Sequence, residues 1–541
     1  MKTQILNPNT DPTAIPLAAQ ILRDGGLVVI PTETVYGLAA NALDADAVRK
    51  IYEAKGRPSD NPLIVHISSF EEIRPLVRDV PESARRLAEK FWPGPLTIIL
   101  PKSGAIPDVT SGGLDTVAIR MPSHPVARAV IEAAGVPLAA PSANISGFPS
   151  PSKVESAADD MTGRVPLILD GGDCAVGVES TVITLATKTP RVLRPGGITP
   201  EMLRETLGEV EIDKAVLDPL EKNETAASPG MKYKHYSPKT RIKIYRGTQK
   251  GYLRYFDRHP AQGLFALCFD QTAPLLKVPV VTMGSENDGL SQTRRLFDAL
   301  RELDEKGAAC AVAQCPVPEG IGLAVCNRLF RAAGFDFIDE APVVGLTGQT
   351  GAGKSTVCRV FEAYGFRVID TDRIAREITE KGSPVLSELA NVFGREILDK
   401  DGALIRAELA RRAFSSKENT RLLNSVTHPA ILRETAERAF ALSEKNIPCV
   451  LDVPLLFQSG ADAYCDVTVA VTAPFETRKR RIMARDGLDE AAAVLRMGAQ
   501  EDESFYTSRA DIIIENPDGG DPTDDARSAA ERIRTVYGGK A

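Results

Sequence analysis

"VVGLTGQTGAGKSTVCRVFEAYG", residues 343–365, runs an apolar stretch into a glycine-rich turn and then into a segment with apolar residues at helical spacing. Gly348, Gly353, Lys354 and Ser355 complete the G-x-x-x-x-G-K-S pattern of a phosphate-binding loop. Glycine is needed there because backbone N–H groups must close on phosphate oxygens with no Cβ in the way. Lys354 brings a mobile cation to the β- and γ-phosphates, and the Ser355 hydroxyl can ligate Mg²⁺. A strand before the loop and a helix after it make this a P-loop α/β domain. Gly351, Ala352, Gly353, Lys354, Ser355 and Thr356 are its expected ATP-binding run.

Downstream, "FRVIDTDRIARE" (366–377) places Asp370 and Asp372 at the end of a second strand. Two carboxylates there could face the phosphate loop and hold a hydroxyl nucleophile or a metal ion. Asp370 could equally be a helix N-cap. "CVLDVPLLF" (449–457) reads as a buried strand ending in Asp452, the expected partner of Ser355 at the metal. "FETRKRRIMARDG" (475–487) sets Arg478, Arg481 and Arg485 on one helical face, either a solvated surface or a lid over transferring phosphate.

Residues 343–541 resemble dephospho-CoA kinase, on "GLTGxxGxGKST", "VIDTDRIARE", "LNSVTHPAI", "LDVPLLF", "RIMARDGL" and "ADIIIEN". The resemblance implies transfer of the ATP γ-phosphoryl group to the 3′-hydroxyl of dephospho-CoA. It makes Asp372 the base on that hydroxyl and Arg485 a lid arginine. Gln349-Thr350 departs from the family's usual loop residues.

The front of the chain carries a different chemistry. "VVIPTETVYGLAANA" (28–42) is a strand entering a polar loop with Thr34, and "AKGRPSDNPLIVHI" (54–67) follows with Lys55, Arg57, Asn61 and His66. Two cations two residues apart at a helix end suit a triphosphate or a carboxylate. "DTVAIRMP", "AAPSANISGFPSPS", "GVESTVI" and "RVLRPGG" add Thr116, Arg120, Ser142, Asn144, Ser150, Ser180 and Arg194. Polar residues at the ends of several strands point to a ligand cavity.

Over about residues 10–205 this part resembles threonylcarbamoyl-AMP synthases, whose signature pairs match Lys55-x-Arg57 and Ser142-x-Asn144. The resemblance implies that L-threonine, bicarbonate and ATP are joined into threonylcarbamoyl-AMP with release of pyrophosphate. The product would pass to the transferase machinery of tRNA t6A modification. Lys55 and Arg57 would act in catalysis. Thr34, His66, Arg120, Ala140 and Ser180 would hold threonine, and Arg57, Asn61, Thr116, Ser142, Asn144, Ser150, Arg194 and Tyr236 would hold ATP. Tyr236 lies in "SPGMKYKHYSP" (228–238), which resembles the linker of the long form of this family; it is read as a lid on the site or as an ordered strap.

The expected architecture is therefore multidomain α/β: a twisted-sheet synthase domain (1–205), a linker or lid (206–240), a small Rossmann-like domain (241–338) and a P-loop kinase domain (341–541). A length of 541 residues accommodates all of them. The formal charge of −7 disfavours a rival reading of the front as an RNA-binding module, and direct contact with tRNA is left open. Eight cysteines without a C-x-x-C pair suit a reducing compartment, and no apolar run approaches the roughly 18 residues of a membrane span, so the expected location is cytoplasmic.

Overall fold

The computed structural model describes residues 1–219, 235–517 and 521–537. Lys232, Tyr233 and Lys234 of the linker stretch lie outside the described residues. The chain divides into two compact units: Met1–Tyr245 with His259–Phe337, and Arg246–Arg258 with Ile338–Ala541. No described helix is long and apolar enough to cross a membrane.

The first unit is built on a mixed sheet of eleven strands among the described residues. Several of its inner short strands are buried on both faces, as in Val28–Ile30, Ile64–His66 and Thr181–Thr184. Ile64–His66 runs parallel to Thr116–Arg120, bringing His66 opposite Arg120. Leu96–Pro101 lies between Thr116–Arg120 and Thr181–Thr184. Polar residues that the sequence scatters over 150 positions thus end on neighbouring strand termini. The helix Ala45–Lys55 is started by Asp44, whose carboxylate accepts from Asp46 N and Ala47 N. Gly56, at φ +60°, stops it in the left-handed conformation open to glycine. This cap sets Lys55 and Arg57 at the turn.

In the same unit, Arg241–Arg246, Cys310–Gln314, Leu264–Cys268 and Val280–Thr282 pair in parallel. Beside this sheet, the helix Gly322–Ala333 is buried on almost every face, including Asn327, Arg328 and Arg331. An ordinary surface helix turns such residues to water.

The second unit carries a five-stranded parallel sheet in the order Arg367–Asp370, Cys449–Asp452, Val343–Thr347, Val467–Thr472, Ile512–Glu515. The strand that comes first in sequence, Val343–Thr347, is central, and Asp370 lies in register with Asp452. The carboxyl ends of these strands therefore share one edge, where an open α/β sheet binds its ligands.

Residues 246–258, which the sequence places in the accessory domain, group with this unit. Their helix, Gln249–Arg258, is anchored by charge. Asp466 Oδ1 accepts from Arg254 Nη2 (3.1 Å) and Thr248 Oγ1 (2.7 Å), while Asp466 Oδ2 accepts from Val343 N (2.7 Å), at the start of the phosphate-loop strand. Arg254 also lies 4.7 Å from the ring centre of Phe440. The Asp466 side chain is only 2% exposed, and breaking a buried pair typically costs about 3–5 kcal/mol. Arg254→Ala should therefore lower the temperature at which kinase activity is lost by several degrees. An unchanged inactivation temperature would show that this helix adds nothing to the unit.

Candidate active sites

The N-terminal cavity, about 580 Å³, lies where the strand ends of the first unit converge. Thr34, His66, Arg120, Ala140 and Ser180 line it, as do Arg57, Ser142, Asn144, Ser150, Arg194 and Tyr236. Lys55, Asn61 and Thr116 do not line it. The Lys55 ammonium is buried and donates to the carbonyls of Ser142 and, at 2.5 Å, Asn144. Burial, with Arg57 beside it, drives its pKa well down. Its visible work is to hold the Ser142–Asn144 turn, where Ser142 Oγ donates to Asn144 Oδ1 at 2.5 Å. One signature pair thus braces the other.

Three guanidinium groups face this cavity. Arg120 donates from Nη2 to Glu33 Oε1 at 2.6 Å, and Arg57 donates from Nη2 to the carbonyls of Asn61 and Pro62. The Nε atoms of both are buried with no hydrogen-bond partner among the described residues, and so is Asn61 Oδ1. Burial lowers the pKa of Arg57 to about 10. Arg194 donates to Ser180 O (3.1 Å) and Ser180 Oγ (3.2 Å), and Ser180 Oγ also meets Thr97 Oγ1 at 2.7 Å. Buried donors without acceptors are costly, so this wall is built for an anion.

His66 Nδ1 contacts the Ile64 carbonyl at 3.1 Å. Burial first, and then Arg120, push its pKa to about 3, so the imidazole is neutral at physiological pH. Sequence reading missed two ionisable lining residues, Glu179 and His235. Glu179 precedes Ser180 in the quoted "GVES". Burial alone would raise its carboxyl, but Arg328 and Arg194 outweigh that and hold it below the ordinary value. His235 is likewise driven to about 3 by burial and by Arg57, and its Nε2 has no partner among the described residues. Tyr236 adopts φ +61°, unusual for a residue with a side chain, and its ring packs 5.2 Å from Phe297. The described end of the linker is thus anchored in the core and faces the cavity at once.

The C-terminal cleft, about 1430 Å³, opens at the carboxyl edge of the parallel sheet. Gly351, Gly353, Lys354, Ser355, Asp372, Asp452 and Arg485 line it; Ala352 and Thr356 do not. Gly353 has φ +104°, and a Cβ there would lie 2.1 Å from Asn516 Nδ2. Asn516 in turn donates to Ala352 O (2.7 Å) and accepts from Arg481, so the loop is clamped from behind. Lys354 Nζ donates to Gly348 O at 2.9 Å; burial lowers its pKa, with Asp452 opposing. Asp452 is raised by burial despite Lys354, and its Oδ1 has no hydrogen-bond partner among the described residues.

Asp370 is the helix N-cap, accepting from Asp372 N (2.8 Å) and Arg373 N (3.1 Å), which leaves Asp372 as the carboxylate on the cleft. The basic helix, Phe475–Asp486, divides its arginines: Arg481 and Arg485 line the cleft, while Arg478 is buried and donates to Ala473 O. Arg496 and Gln500 also line it and were not read from the sequence. A second, more apolar groove shares Asp372 and Pro454 with the cleft and is walled by Ala375, Ile431, Leu432 and Val453.

The family model described as telomere recombination matches residues 20–196, and that of the threonylcarbamoyl-AMP synthase C-terminal domain matches 198–334. The dephospho-CoA kinase family model matches 342–521. A threonylcarbamoyl-AMP synthase of Pyrococcus abyssi is 46% identical over 333 residues, covering 60% of this chain and 95% of the relative. A dephospho-CoA kinase of Corynebacterium efficiens is 44% identical over 191 residues, covering 35% of this chain and 94% of the relative. The solved structure of P. abyssi Sua5 complexed with L-threonine is 43% identical, with a TM-score of 0.58, over 62% of this chain and 99% of that one. Matched at each end to relatives over nearly their full length, the chain belongs to the threonylcarbamoyl-AMP synthase family in its N-terminal part and to the dephospho-CoA kinase family in its C-terminal part, a fusion of the two.

Proposed function

We propose that the N-terminal cavity joins L-threonine, bicarbonate and ATP into threonylcarbamoyl-AMP, and that the C-terminal cleft phosphorylates the 3′-hydroxyl of dephospho-CoA. The observation that carries the first reading is the set of buried guanidinium groups facing one cavity. In it, the Arg120 Nε suits the threonine carboxylate, beside Thr34, the neutral His66, the Ala140 backbone and Ser180. Arg57, Ser142, Asn144, Ser150, Arg194 and Tyr236 suit the nucleotide. Asn61, whose carbonyl accepts from Arg57, and Thr116 belong to the nucleotide side in this reading, and Lys55 holds the Ser142–Asn144 turn. The threonine amine adds to bicarbonate with loss of water, and the carbamate oxygen attacks the α-phosphorus as pyrophosphate leaves. No side-chain nucleophile is needed: positioning and charge stabilisation suffice. His235 and Tyr236 supply a wall that keeps water from the carbamate. The product would feed tRNA t6A modification through a separate transferase.

In the kinase cleft, Asp372 takes the proton of the 3′-hydroxyl as its oxygen attacks the γ-phosphorus, and ADP leaves. Lys354, Arg481 and Arg485 offset the charge of the transferring group. The unpartnered Asp452 Oδ1 and the Ser355 hydroxyl on the same cleft are the oxygen donors that suit Mg²⁺. When bound, the ion offsets charge on the phosphate oxygens. The adjoining apolar groove fits the long arm of dephospho-CoA, whose ribose end then meets Asp372.

Two measurements test this reading. Lys354→Ala should cost the kinase roughly a hundredfold or more and leave threonine-dependent pyrophosphate release unchanged. Loss of both activities would mean a single shared nucleotide site.

The second concerns pH. His66 and His235 titrate near 3 in the folded chain and near 6.5 when unfolded, so the unfolded state binds more protons between those values. Stability of the synthase unit is thus full above about pH 6.5 and declines as pH falls toward 3. Between pH 6.5 and 5, before most carboxylates titrate, its unfolding midpoint should drop. The His66→Gln/His235→Gln protein should drop less over that interval. Equal slopes in the two proteins would contradict the buried neutral state of these imidazoles.

A further inference from the structure

Arg328 is the largest fully buried side chain among the described residues, and nothing in the reaction as proposed uses it. It belongs to the helix Gly322–Ala333, more than 120 residues beyond Arg194, and does not line the cavity. Its guanidinium reaches Glu179, which does. Arg328 Nε donates to Glu179 Oε2 at 2.9 Å, Nη2 to Glu179 O at 3.1 Å, and Nη1 to Pro195 O at 2.7 Å. The other carboxylate oxygen, Glu179 Oε1, accepts from Ser150 Oγ at 2.5 Å. Its guanidinium carbon also stands 5.7 Å from the ring centre of Tyr236. Arg328 thus touches the supports of three nucleotide-side elements: Glu179 with Ser150, the Pro195 turn after Arg194, and Tyr236.

The charges explain why this matters. Glu179 is the only carboxylate lining the cavity among the described residues, and it faces three lining arginines. Arg194 forms no ion pair among the described residues; its hydrogen bonds go to Ser180. A buried carboxylate that lost its partner would draw in the nearest cation, because charge attraction is strong where water is excluded. Among the lining cations it is Arg194 that acts on Glu179, and its guanidinium already donates to the adjoining Ser180.

We propose that Arg328 is a positioning residue of the synthase reaction: by holding Glu179, it keeps Arg194 available to the ATP phosphates. The accessory domain is then part of the nucleotide site without touching the nucleotide. This inference rests on the assignment of Arg194 to ATP made above.

The test is the Michaelis constant for ATP in threonine-dependent pyrophosphate release, which the kinase does not contribute to, measured on the full-length chain. Arg328→Gln should raise it by roughly tenfold or more, the loss expected when one charge-assisted contact is removed, with a smaller rise for threonine. The restoring variant decides the mechanism. Glu179→Gln/Arg328→Gln removes both buried charges and should bring the constant for ATP back to within about threefold of the parent. If Arg328 merely docks the accessory domain, the double variant will be as impaired as the single one, and the proposal falls. Should Arg328→Gln fail to fold, the double variant still decides: a constant for ATP within about threefold of the parent supports the proposal, and a larger rise overturns it. Kinase turnover on the same preparations checks folding. A parent chain with no threonine-dependent pyrophosphate release would instead overturn the functional assignment itself.

Discussion

Burying three guanidinium groups at one cavity, of which only Arg120 has a carboxylate partner among the described residues, is the constraint that organises the N-terminal half of this chain. Arg57, Arg120 and Arg194 reach one cavity, and two of them keep a buried Nε with no partner among the described residues. Such an arrangement is tolerable only where a ligand brings negative charge. Around it, each carboxylate is committed: Glu33 to Arg120 and Ser123 N, Glu179 to Arg328 and Ser150. Histidines are held neutral by the same burial and the same cations. Arg57 and Arg194 therefore keep their positive charge for substrate.

The C-terminal unit meets a similar ligand by another route. Its phosphate loop relies on backbone N–H groups at a helix start, and glycine there is imposed by Asn516 and by the loop's own left-handed turns. Its carboxylates are arranged by the sheet. Parallel pairing in register sets Asp452 beside Asp370, and the cap made by Asp370 points the remaining carboxylate, Asp372, at the cleft. One chain thus presents two sites suited to anions, one walled by buried guanidinium groups and one built on a glycine-rich loop at a helix start.

Much of this was legible in the sequence because the signals are local. The glycine-lysine-serine loop sits between a readable strand and a readable helix, and the polar strand ends at the front carry their residues in short quoted runs. Eleven of the expected synthase residues do line one cavity. Lys55 shows where locality misleads: a cation beside Arg57 reads as a ligand, yet its ammonium is bound to the Ser142 and Asn144 carbonyls. Asp370 was ambiguous because a cap and a ligand use the same carboxylate at the same strand end. Arg328 was missed because its partner lies 149 positions away. A signal for it exists in retrospect: "GLAVCNRLFRAA" sets two arginines in a helix otherwise apolar on most faces. The grouping of residues 246–258 with the kinase unit has no local signal, since it depends on Asp466, over 200 residues on.

The central claim, two distinct ATP-dependent reactions in one chain, is tested most directly by identifying products. A single purified full-length preparation would be given ATP, L-threonine, carbon-labelled bicarbonate and dephospho-CoA, and the products analysed by mass spectrometry. The account expects threonylcarbamoyl-AMP bearing the labelled carbon, with pyrophosphate, alongside coenzyme A phosphorylated at the 3′-position, with ADP. Formation of only one of the two products by a chain folded at both ends would contradict it.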